Sequence, residues 1–377
     1  MKIGIITWFT GSNYGTNLQA IALQYYLRTQ GYDVKIINYE IQSSYNDTKK
    51  TTILERILAK KEYITYNFAL KKFKEKIAKR DENLKDNIIK KCNLTEKIET
   101  KEKLIEVCNS FDLLICGSDQ IWNPNWYDKF YYADYEEINT RKISYAPSMG
   151  VNEIQEKVME QIASSIEKFD CVSVREEKAA ELLRPYIIPK PEVVVDPTLL
   201  LNSEEWKSIF PQNLKKQDKE KYVLSMFLTD NYNHWKAAKK FASKHGLKQV
   251  IIPYCGLSYF QKGEIVADAG LTELLDLIRN AEYVLTDSFH ITVFSIINHK
   301  QFYTFQRFKE NKYISQNIRI TNLLKKSDLE DRIILYDSKK IFDRKDIEFT
   351  SCILKLQQEI QKSKSFLERA IQERKTK

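Results

Sequence analysis

The chain has 377 residues, which is enough for two domains that each bury a core. Hydrophobic residues make up 43% and charged residues 29%, as in ordinary globular proteins, and ten glycines with eight prolines exclude collagen-like or long low-complexity tracts. The net charge is +9, and most of it lies in residues 49–107, where 17 lysines and arginines face 10 acidic residues.

This basic stretch has two interpretations. A solvated helical insert is the simpler one, and a surface that meets an anionic membrane or an anionic acceptor is the other. Nucleic acid is not expected as a partner, because no binding motif accompanies the charge. No apolar run approaches the roughly 20 residues that span a bilayer. The six cysteines form no CxxC pair, and no signal peptide is evident, so we expect a cytoplasmic protein, with the inner face of the membrane as one place of action.

The first 201 residues alternate strand and helix patterns. Apolar runs predict strands over residues 2–7, 34–39, 111–116, 143–146, 171–174 and 193–195, with helices over 18–30, 152–168 and 177–183. Such alternation predicts a Rossmann-like domain with a parallel sheet. The basic helical insert, residues 43–110, interrupts it.

A second α/β pattern follows a linker at residues 202–218. Strands are expected over 222–227, 249–253, 283–285 and 301–305, and helices over 233–245, 271–280 and 318–325. This gives a second Rossmann-like domain over residues 219–345. A long amphipathic helix in residues 346–377 is expected to pack back on the first domain. The fold class is therefore α/β, with two doubly wound domains that face each other across a cleft.

Polar residues follow several of the predicted strands. Open α/β sheets bind ligands beyond the carboxyl ends of their strands, so these polar ends predict one common rim. The loop after the first strand offers Asn13, Tyr14 and Asn17. The loop after residue 116 offers hydroxyl-binding groups and a candidate stacking ring: Ser118, Asp119, Gln120 and Trp122.

The stretch from residue 281 to 302, AEYVLTDSFHITVFSIINHKQF, carries the sharpest signal. A short strand ends in Thr286, Asp287 and Ser288, and His290 stands at the start of a helix. A helix N-terminus favours an anion, and histidine can give and take protons near neutral pH. The other three histidines are expected at surfaces or beyond the buried helix.

Several motifs together resemble the polysaccharide pyruvyl transferase family. They are GSNYGTNLQAIAL (11–23), FDLLICGSDQIWNP (111–124), ISYAPSMG (143–150), VSVRE (172–176), VDPTLLL (195–201) and TDSFHITVFSI (286–296), in family order over roughly residues 1–305. The resemblance implies a glycosyltransferase-B-like fold. It also implies transfer of the enolpyruvyl group of phosphoenolpyruvate onto two hydroxyls of a sugar, which forms a cyclic pyruvate ketal.

The resemblance also implies roles for the candidate residues. His290 would be the catalytic acid and base, and Asp287 and Asp119 are candidates for a second proton-transfer group. The first domain would hold the acceptor sugar. The second domain with Arg175 would hold the donor, through Arg175, Ser288, Phe289, Arg319 and Lys300. One branch of the family has arginine where this chain has Ser288, so Arg319 and Lys300 are the candidates to replace that charge.

The partners follow from this assignment. We expect phosphoenolpyruvate as co-substrate, no other cofactor and no metal, because no His, Cys and Asp residues have ligand spacing. The acceptor would be a lipid-linked or nucleotide-linked sugar of a cell-surface polysaccharide. Two alternatives stay open: a glycosyltransferase that uses a nucleotide sugar, and a sugar-binding protein without catalysis.

Overall fold

The structure is a computed structural model that describes residues 1–39, 53–212, 220–309 and 317–373. All strand pairs in this part of the chain are parallel. Each sheet is flanked by helices, as expected when helical crossovers connect parallel strands. The fold class predicted from the alternating pattern is thus confirmed.

The first sheet has the strand order β2-β1-β3-β4. A single parallel bridge from Ile143 to Cys171 continues it toward the pair β5-β6. The strands of this half are Lys2–Ile6 (β1), Asp33–Ile36 (β2), Leu113–Cys116 (β3), Arg141–Ser144 (β4), Ser173–Val174 (β5) and Glu192–Val193 (β6). The helices are Tyr14–Thr29 (α1), Ile53–Lys72 (α2), Lys74–Lys91 (α3), Lys101–Asn109 (α4), Glu156–Ile166 (α5), Glu177–Leu183 (α6) and Ser203–Ile209 (α7).

The second sheet has the order β12-β11-β10-β7-β8-β9. Its strands are Tyr222–Met226 (β7), Lys248–Ile251 (β8), Glu264–Ile265 (β9), Tyr283–Thr286 (β10), Gln301–Phe305 (β11) and Ile333–Ile334 (β12). The helices are Tyr232–Lys244 (α8), Leu271–Asn280 (α9), Phe289–Ile297 (α10), Asn317–Lys326 (α11) and Phe349–Gln372 (α12). Strands β9 and β12 have only two residues each, too short for an apolar pattern to predict them.

Both sheets have a point where the direction of chain winding reverses. In the first sheet it lies between β1 and β3, and in the second between β7 and β10. The loops that follow adjacent strands diverge there, and this divergence opens a crevice beyond the carboxyl ends of the strands. The fold therefore places one ligand crevice on each half, and the two crevices face a common cavity.

The helical insert connects the two halves. Arg80 on α3 is buried and donates to the hydroxyl of Tyr259, 3.2 Å away. The side chains of Ala69 and Ile77 share a small apolar core with Tyr259 and Ala267 of the second half. Helices α2 and α3 of the insert thus pack against the segment of the second half that contains Tyr259 and Ala267. The prediction for residues 43–52 lies outside the described residues.

The last helix, α12, crosses back to the first half. The hydroxyl of Ser363 accepts a hydrogen bond from the backbone N–H of Val195 at 2.9 Å, and Arg141 donates to the carbonyl of Ile371 at 3.2 Å. Within the stretch expected as a linker, α7 begins with a capping box between Asn202 and Glu205. Residues 213–219 lie outside the described part.

Candidate active site

A cavity of about 440 Å³ lies between the two halves, at the reversal points of both sheets. The first half lines it with the loops that follow β1 and β3, and the second half with the loops that follow β7, β10 and β11. Its walls are Thr7–Thr10, Asn13, Thr16, Tyr39, Asp119, Gln120, Trp126, Phe130, Tyr131, Leu228, Asp287–His290, Arg307, Arg319 and Ile320.

Two helix N-termini converge on this cavity. Asn13 caps α1, and its side-chain oxygen accepts from the N–H of Gly15 at 3.0 Å. Ser288 caps α10 in the same way, with its hydroxyl accepting from Ile291. Neither helix has an acidic residue in its first turn. No acid on either helix offsets the positive end of its dipole, and Asp119 is the carboxylate that contacts the first turn of α1, through Thr16.

His290 is packed at the contact between these two helices. A Cβ atom added to Gly15 would lie 2.0 Å from Nδ1 of His290, so the imidazole rests directly on the backbone of α1. On its other side, Nε2 lies 3.7 Å from Oδ2 of Asp196 and has no hydrogen-bond partner among the described residues. His290 as a whole is 7% exposed. It lines the cavity, so a small ligand there can reach the ring.

Replacing Gly15 with alanine should reduce catalysis and also lower stability. The new methyl group would force the buried His290 ring out of place, and crowding a packed site costs about 1–3 kcal/mol. We expect at least a ten-fold lower turnover in the fraction that stays folded, together with a lower melting temperature. Thr29→Ala, at the exposed end of the same helix, is the matched control. Wild-type turnover in Gly15→Ala would mean that the observed ring position is not needed.

A buried ion cluster lies behind His290. Arg175 pairs with Asp196 and lies 3.8 Å from Asp119. Burial opposes the charge on Asp196, but the neighbouring His290 imidazole and the charge of Arg175 outweigh it and hold the pKa of Asp196 well below its usual range. Thr198 adds two hydrogen bonds to the same carboxylate. Asp196 is therefore a fixed negative charge beside the imidazole.

Asp119 holds two loops together. Its carboxylate accepts from the hydroxyl of Thr16 at 2.7 Å and from the N–H of Gln120 at 2.9 Å. Its φ of 63° lies in the left-handed region, which aspartate tolerates better than most residues. Asp119 lines the cavity, but both carboxylate oxygens already serve the protein. Its predicted part in proton transfer stays a prediction.

Arg319 brings a buried positive charge to the cavity wall. Nη1 and Nη2 donate to the side-chain oxygen of Gln120 at 2.9 and 2.6 Å, in the amide orientation that satisfies both residues. Its guanidinium also lies 5.9 Å from the ring of Phe289. Burial, reinforced by the nearby charge of Arg175, lowers the pKa of Arg319 to about 9. An anion bound beside it would offset this lost hydration.

Asp287 is fully buried and connects the loops after β7 and β10. Its carboxylate accepts from the N–H of Leu228 at 2.6 Å and from the hydroxyl of Thr229 at 2.7 Å. Burial raises its pKa, and the charge of Arg307 acts in the opposite direction. Asp287 lines the cavity, and its contacts also fix the shape of the cavity wall. Its part in proton transfer stays a prediction.

The structure does not place Arg175 at the surface of the cavity. Its guanidinium lies 5.0 Å over the ring of Phe289, and Phe289 is the residue that lines the cavity. The expectation that Arg175 grips the donor directly is therefore corrected. Arg175 instead neutralises Asp196, and Nε and Nη2 of Arg175 have no hydrogen-bond partner among the described residues.

Lys300 was also expected near the donor, and this expectation is wrong. Lys300 immediately precedes β11, at the amino edge of the second sheet, whereas the cavity lies beyond the carboxyl edge. Most of α10 lies between Lys300 and His290, because His290 is the second residue of that helix and Lys300 follows its end at Ile297. At about 1.5 Å per residue this distance is too long for a lysine side chain to bridge.

Four residues expected to bind the acceptor have structural roles instead. The hydroxyl of Tyr14 donates to the carbonyl of Ala269 at 2.7 Å and joins the two halves. Ser118 donates to the carbonyl of Ala146, and Asn17 to the carbonyls of Gly11 and Asn13. Trp122 has no exposed surface and stacks on Tyr132. Of the predicted acceptor residues, Asn13 and Gln120 line the cavity.

Sequence reasoning missed several wall residues. Trp8, Trp126 and Tyr131 form an aromatic side of the cavity, and Arg307 adds a second guanidinium opposite. No periodicity marks them, because each lies in an irregular loop or a short 3₁₀ turn. The sequence identified Asp196 as a polar residue after a predicted strand. Its contact with His290 forms only when the two halves of the molecule pack together, so the sequence does not predict it.

The described residues contain no group of three or more His, Cys, Asp or Glu side chains that could hold a metal ion. The histidine, arginines and helix N-termini of the cavity are instead suited to anion binding and proton transfer.

The fold and site together define a two-domain α/β protein of the glycosyltransferase-B-like class, with its site in the cleft between the halves. Residues 13–307 match the model of the family described as polysaccharide pyruvyl transferase. The chain therefore belongs to the polysaccharide pyruvyl transferase family. No curated protein matches its sequence significantly.

Solved structures with low sequence identity share the fold. A UDP-N-acetylglucosamine 2-epimerase from Rickettsia bellii superimposes with a TM-score of 0.51 at 11% identity, covering 98% of this chain and 96% of the epimerase. The complex of S. aureus MnaA with UDP gives 0.50 at 10% identity, covering 98% and 89%. At such identities the likeness concerns the fold alone.

Proposed function

We propose that this protein transfers the enolpyruvyl group of phosphoenolpyruvate to a sugar and forms a pyruvate ketal across two of its hydroxyls. The observation that carries the proposal is His290, whose Nε2 has no hydrogen-bond partner among the described residues, in a cavity shared with Arg319 and Arg307. Family membership supplies the reaction class.

The cavity suits a small donor with two anionic groups. Phosphoenolpyruvate carries a carboxylate and a phosphate, which call for charged or N–H donors. The guanidiniums of Arg319 and Arg307 and the N-termini of α1 and α10 provide four such features around one space. The lowered pKa of Arg319, caused by burial, supports the same assignment, because a bound anion would restore the stabilisation that water no longer gives.

The mechanism needs two proton movements. Carbon 3 of the donor gains a proton and becomes a methyl group, while one sugar hydroxyl loses a proton and bonds to carbon 2. Phosphate then leaves as the second hydroxyl bonds to the same carbon and releases its proton to the phosphate. The products are one ketal and one inorganic phosphate. His290 is the group proposed to take the hydroxyl proton and give one to carbon 3, and Asp196 would stabilise the imidazolium between these steps.

Mass spectrometry of candidate acceptors incubated with phosphoenolpyruvate tests the proposal. We expect the pyruvyl mass increment together with released phosphate and no nucleoside diphosphate. Sugar transfer with release of a nucleoside diphosphate would instead identify a nucleotide-sugar glycosyltransferase. Acceptor binding without turnover, with both donor types present, would identify a sugar-binding protein.

We also propose that the insert brings the enzyme to an anionic membrane surface, where a lipid-linked acceptor on the inner face would be found. On α2 the side chains of Tyr63, Ile64 and Phe68 are all more than half exposed. Lys71 and Lys74 lie beside this apolar patch, and α2 and α3 carry further exposed lysines: Lys60, Lys72, Lys76 and Lys79. Apolar side chains together with lysines suit the interface of an anionic bilayer. No described helix is long and apolar enough to cross a bilayer.

Vesicle sedimentation checks this surface contact. Binding to vesicles with anionic phospholipid should be measurable at low salt and fall as salt rises, because exposed charges are screened. Lys71→Glu with Lys74→Glu should weaken it by at least about 2 kcal/mol, because each substitution removes a basic residue worth roughly 1 kcal/mol and adds a repelled carboxylate. The control is Lys236→Glu with Lys239→Glu on α8. An equal loss of vesicle binding in both double variants would indicate only an effect of the net charge of the protein.

A further inference from the structure

We infer that Trp8, Trp126 and Tyr131 form the subsite that holds the ring of the acceptor sugar, and that this acceptor presents a pyranose face to them. Together these three residues form an aromatic wall. All three line the cavity that contains His290. The inference rests on the proposed function, since it assigns the second substrate of the same site.

The aromatic wall is open to the cavity rather than packed in the core. Trp126 is 39% exposed, and Trp8 and Tyr131 are half-buried. Trp122, four residues earlier in the chain, is the contrast: it has no exposed surface, stacks on Tyr132 at 5.4 Å and donates its indole N–H to the carbonyl of Tyr131. An exposed tryptophan beside an internal cavity retains a free apolar face.

The rings are arranged as a notch. Trp8 and Trp126 have centroids 5.7 Å apart and planes tilted by 54°. Tyr131 meets Trp8 edge-on at 6.0 Å and 84°. Because the two indole planes diverge, the wall is an angled apolar surface against which a pyranose ring can lie.

The chemistry of the wall fits a sugar. A pyranose has an apolar C–H face and a polar rim of hydroxyls, so it can bury the face on an aromatic ring while the rim forms hydrogen bonds. Hydroxyl-binding groups line the cavity at Thr10, Asn13 and Gln120. The sugar would thus find both features on the first half of the molecule.

The two halves of the molecule give the cavity an aromatic side for the sugar and a positively charged side for the donor. The aromatic wall belongs to the loops after β1 and β3, whereas Arg307 and Arg319 belong to the second half, and His290 lies at the contact between the halves. The cavity of about 440 Å³ falls within the roughly 300–1,000 Å³ typical of small-molecule sites. A sugar on the wall and an anion near the arginines would both be close to the imidazole.

Saturation-transfer NMR with simple glycosides tests the wall. The probes are methyl β-D-glucopyranoside, methyl β-D-galactopyranoside and methyl α-D-mannopyranoside, and sorbitol provides the hydroxyls without a ring face. With the wild-type protein, at least one glycoside should receive saturation at its ring C–H protons, and sorbitol should not. Trp126→Ala should weaken that glycoside about ten-fold, from the apolar area no longer covered, and Trp126→Phe should restore most of the binding.

Two controls separate this inference from the proposed function. Tyr232→Ala removes an exposed aromatic residue on α8, outside the cavity, and should change nothing. Phosphoenolpyruvate binding, measured by calorimetry, should be equal in wild type and Trp126→Ala. Glycosides that bind a protein unable to bind phosphoenolpyruvate would support the wall and overturn the donor assignment. Equal glycoside binding in wild type and Trp126→Ala, or none in either, overturns the wall.

Discussion

Replacing His290 with glutamine should reduce phosphate release from phosphoenolpyruvate by about 10²–10⁴-fold, the usual contribution of a positioned general acid or base. Glutamine keeps a polar N–H group near Asp196, but it cannot carry a proton between the sugar hydroxyl and carbon 3 of the donor. The loss should appear in kcat, with the KM for phosphoenolpyruvate within a few-fold of wild type. Steady-state phosphate assays at saturating acceptor measure both.

His245→Gln is the control for this variant. His245 lies at the C-terminal end of α8, beside Asp343, and does not line the cavity. It should keep wild-type turnover. If His290→Gln retains turnover while its melting temperature is unchanged, another group moves the protons, and Asp119 and Asp287 become the candidates because both line the cavity.

The sequence predicted the fold well because its strands are buried and short. When helices alternate with continuous apolar runs such as the one ending at Ile6, those runs are best interpreted as buried strands of a parallel sheet. The order of strands in each sheet could not be read in the same way. The cavity lies at the reversal points of both sheets, and these depend on which strands pair.

The start of α1 shows why local patterns gave only part of the site. The loop around Gly15 has the composition of a flexible turn, yet Gly15 lies within the helix, which begins at Tyr14. Glycine is accommodated there because the His290 ring occupies the place of a side chain. That contact joins residues about 275 positions apart in sequence, and no local rule reports it.

The tryptophans also show that a local pattern does not reveal which way a side chain points. The sequence favoured Trp122 as the exposed ring because it follows a polar strand end, but its side chain points into the core and Trp126 reaches the cavity. Which ring is exposed depends on the 3₁₀ turn at Pro124–Trp126, a feature too short for periodicity to reveal. For Lys300 the sequence was sufficient. Its position just before β11 already implied the amino edge of the second sheet, opposite to the edge where the cavity lies.

Replacing Arg319 with methionine should raise the KM for phosphoenolpyruvate by about 10–100-fold, because each lost charge-assisted hydrogen bond is worth roughly 1.5–3 kcal/mol. Methionine keeps much of the side-chain volume and removes the guanidinium. The KM for the acceptor should change less, because Arg319 reaches the acceptor groups only through Gln120, whereas the aromatic wall lies on the other half. Arg319→Lys should be intermediate, because lysine keeps the charge but loses the fork of parallel donors.

Two further variants separate anion binding from support of the loop at Gln120. Gln120→Leu removes the partner that Arg319 holds at 2.6 and 2.9 Å but leaves the cation in place, so the KM for phosphoenolpyruvate should stay well below that of Arg319→Met. Arg344→Met removes an exposed arginine of the same half and should match wild type. If Gln120→Leu raises this KM as much as Arg319→Met does, the guanidinium acts by holding the loop, and the donor anion must be bound by Arg307 and the two helix N-termini.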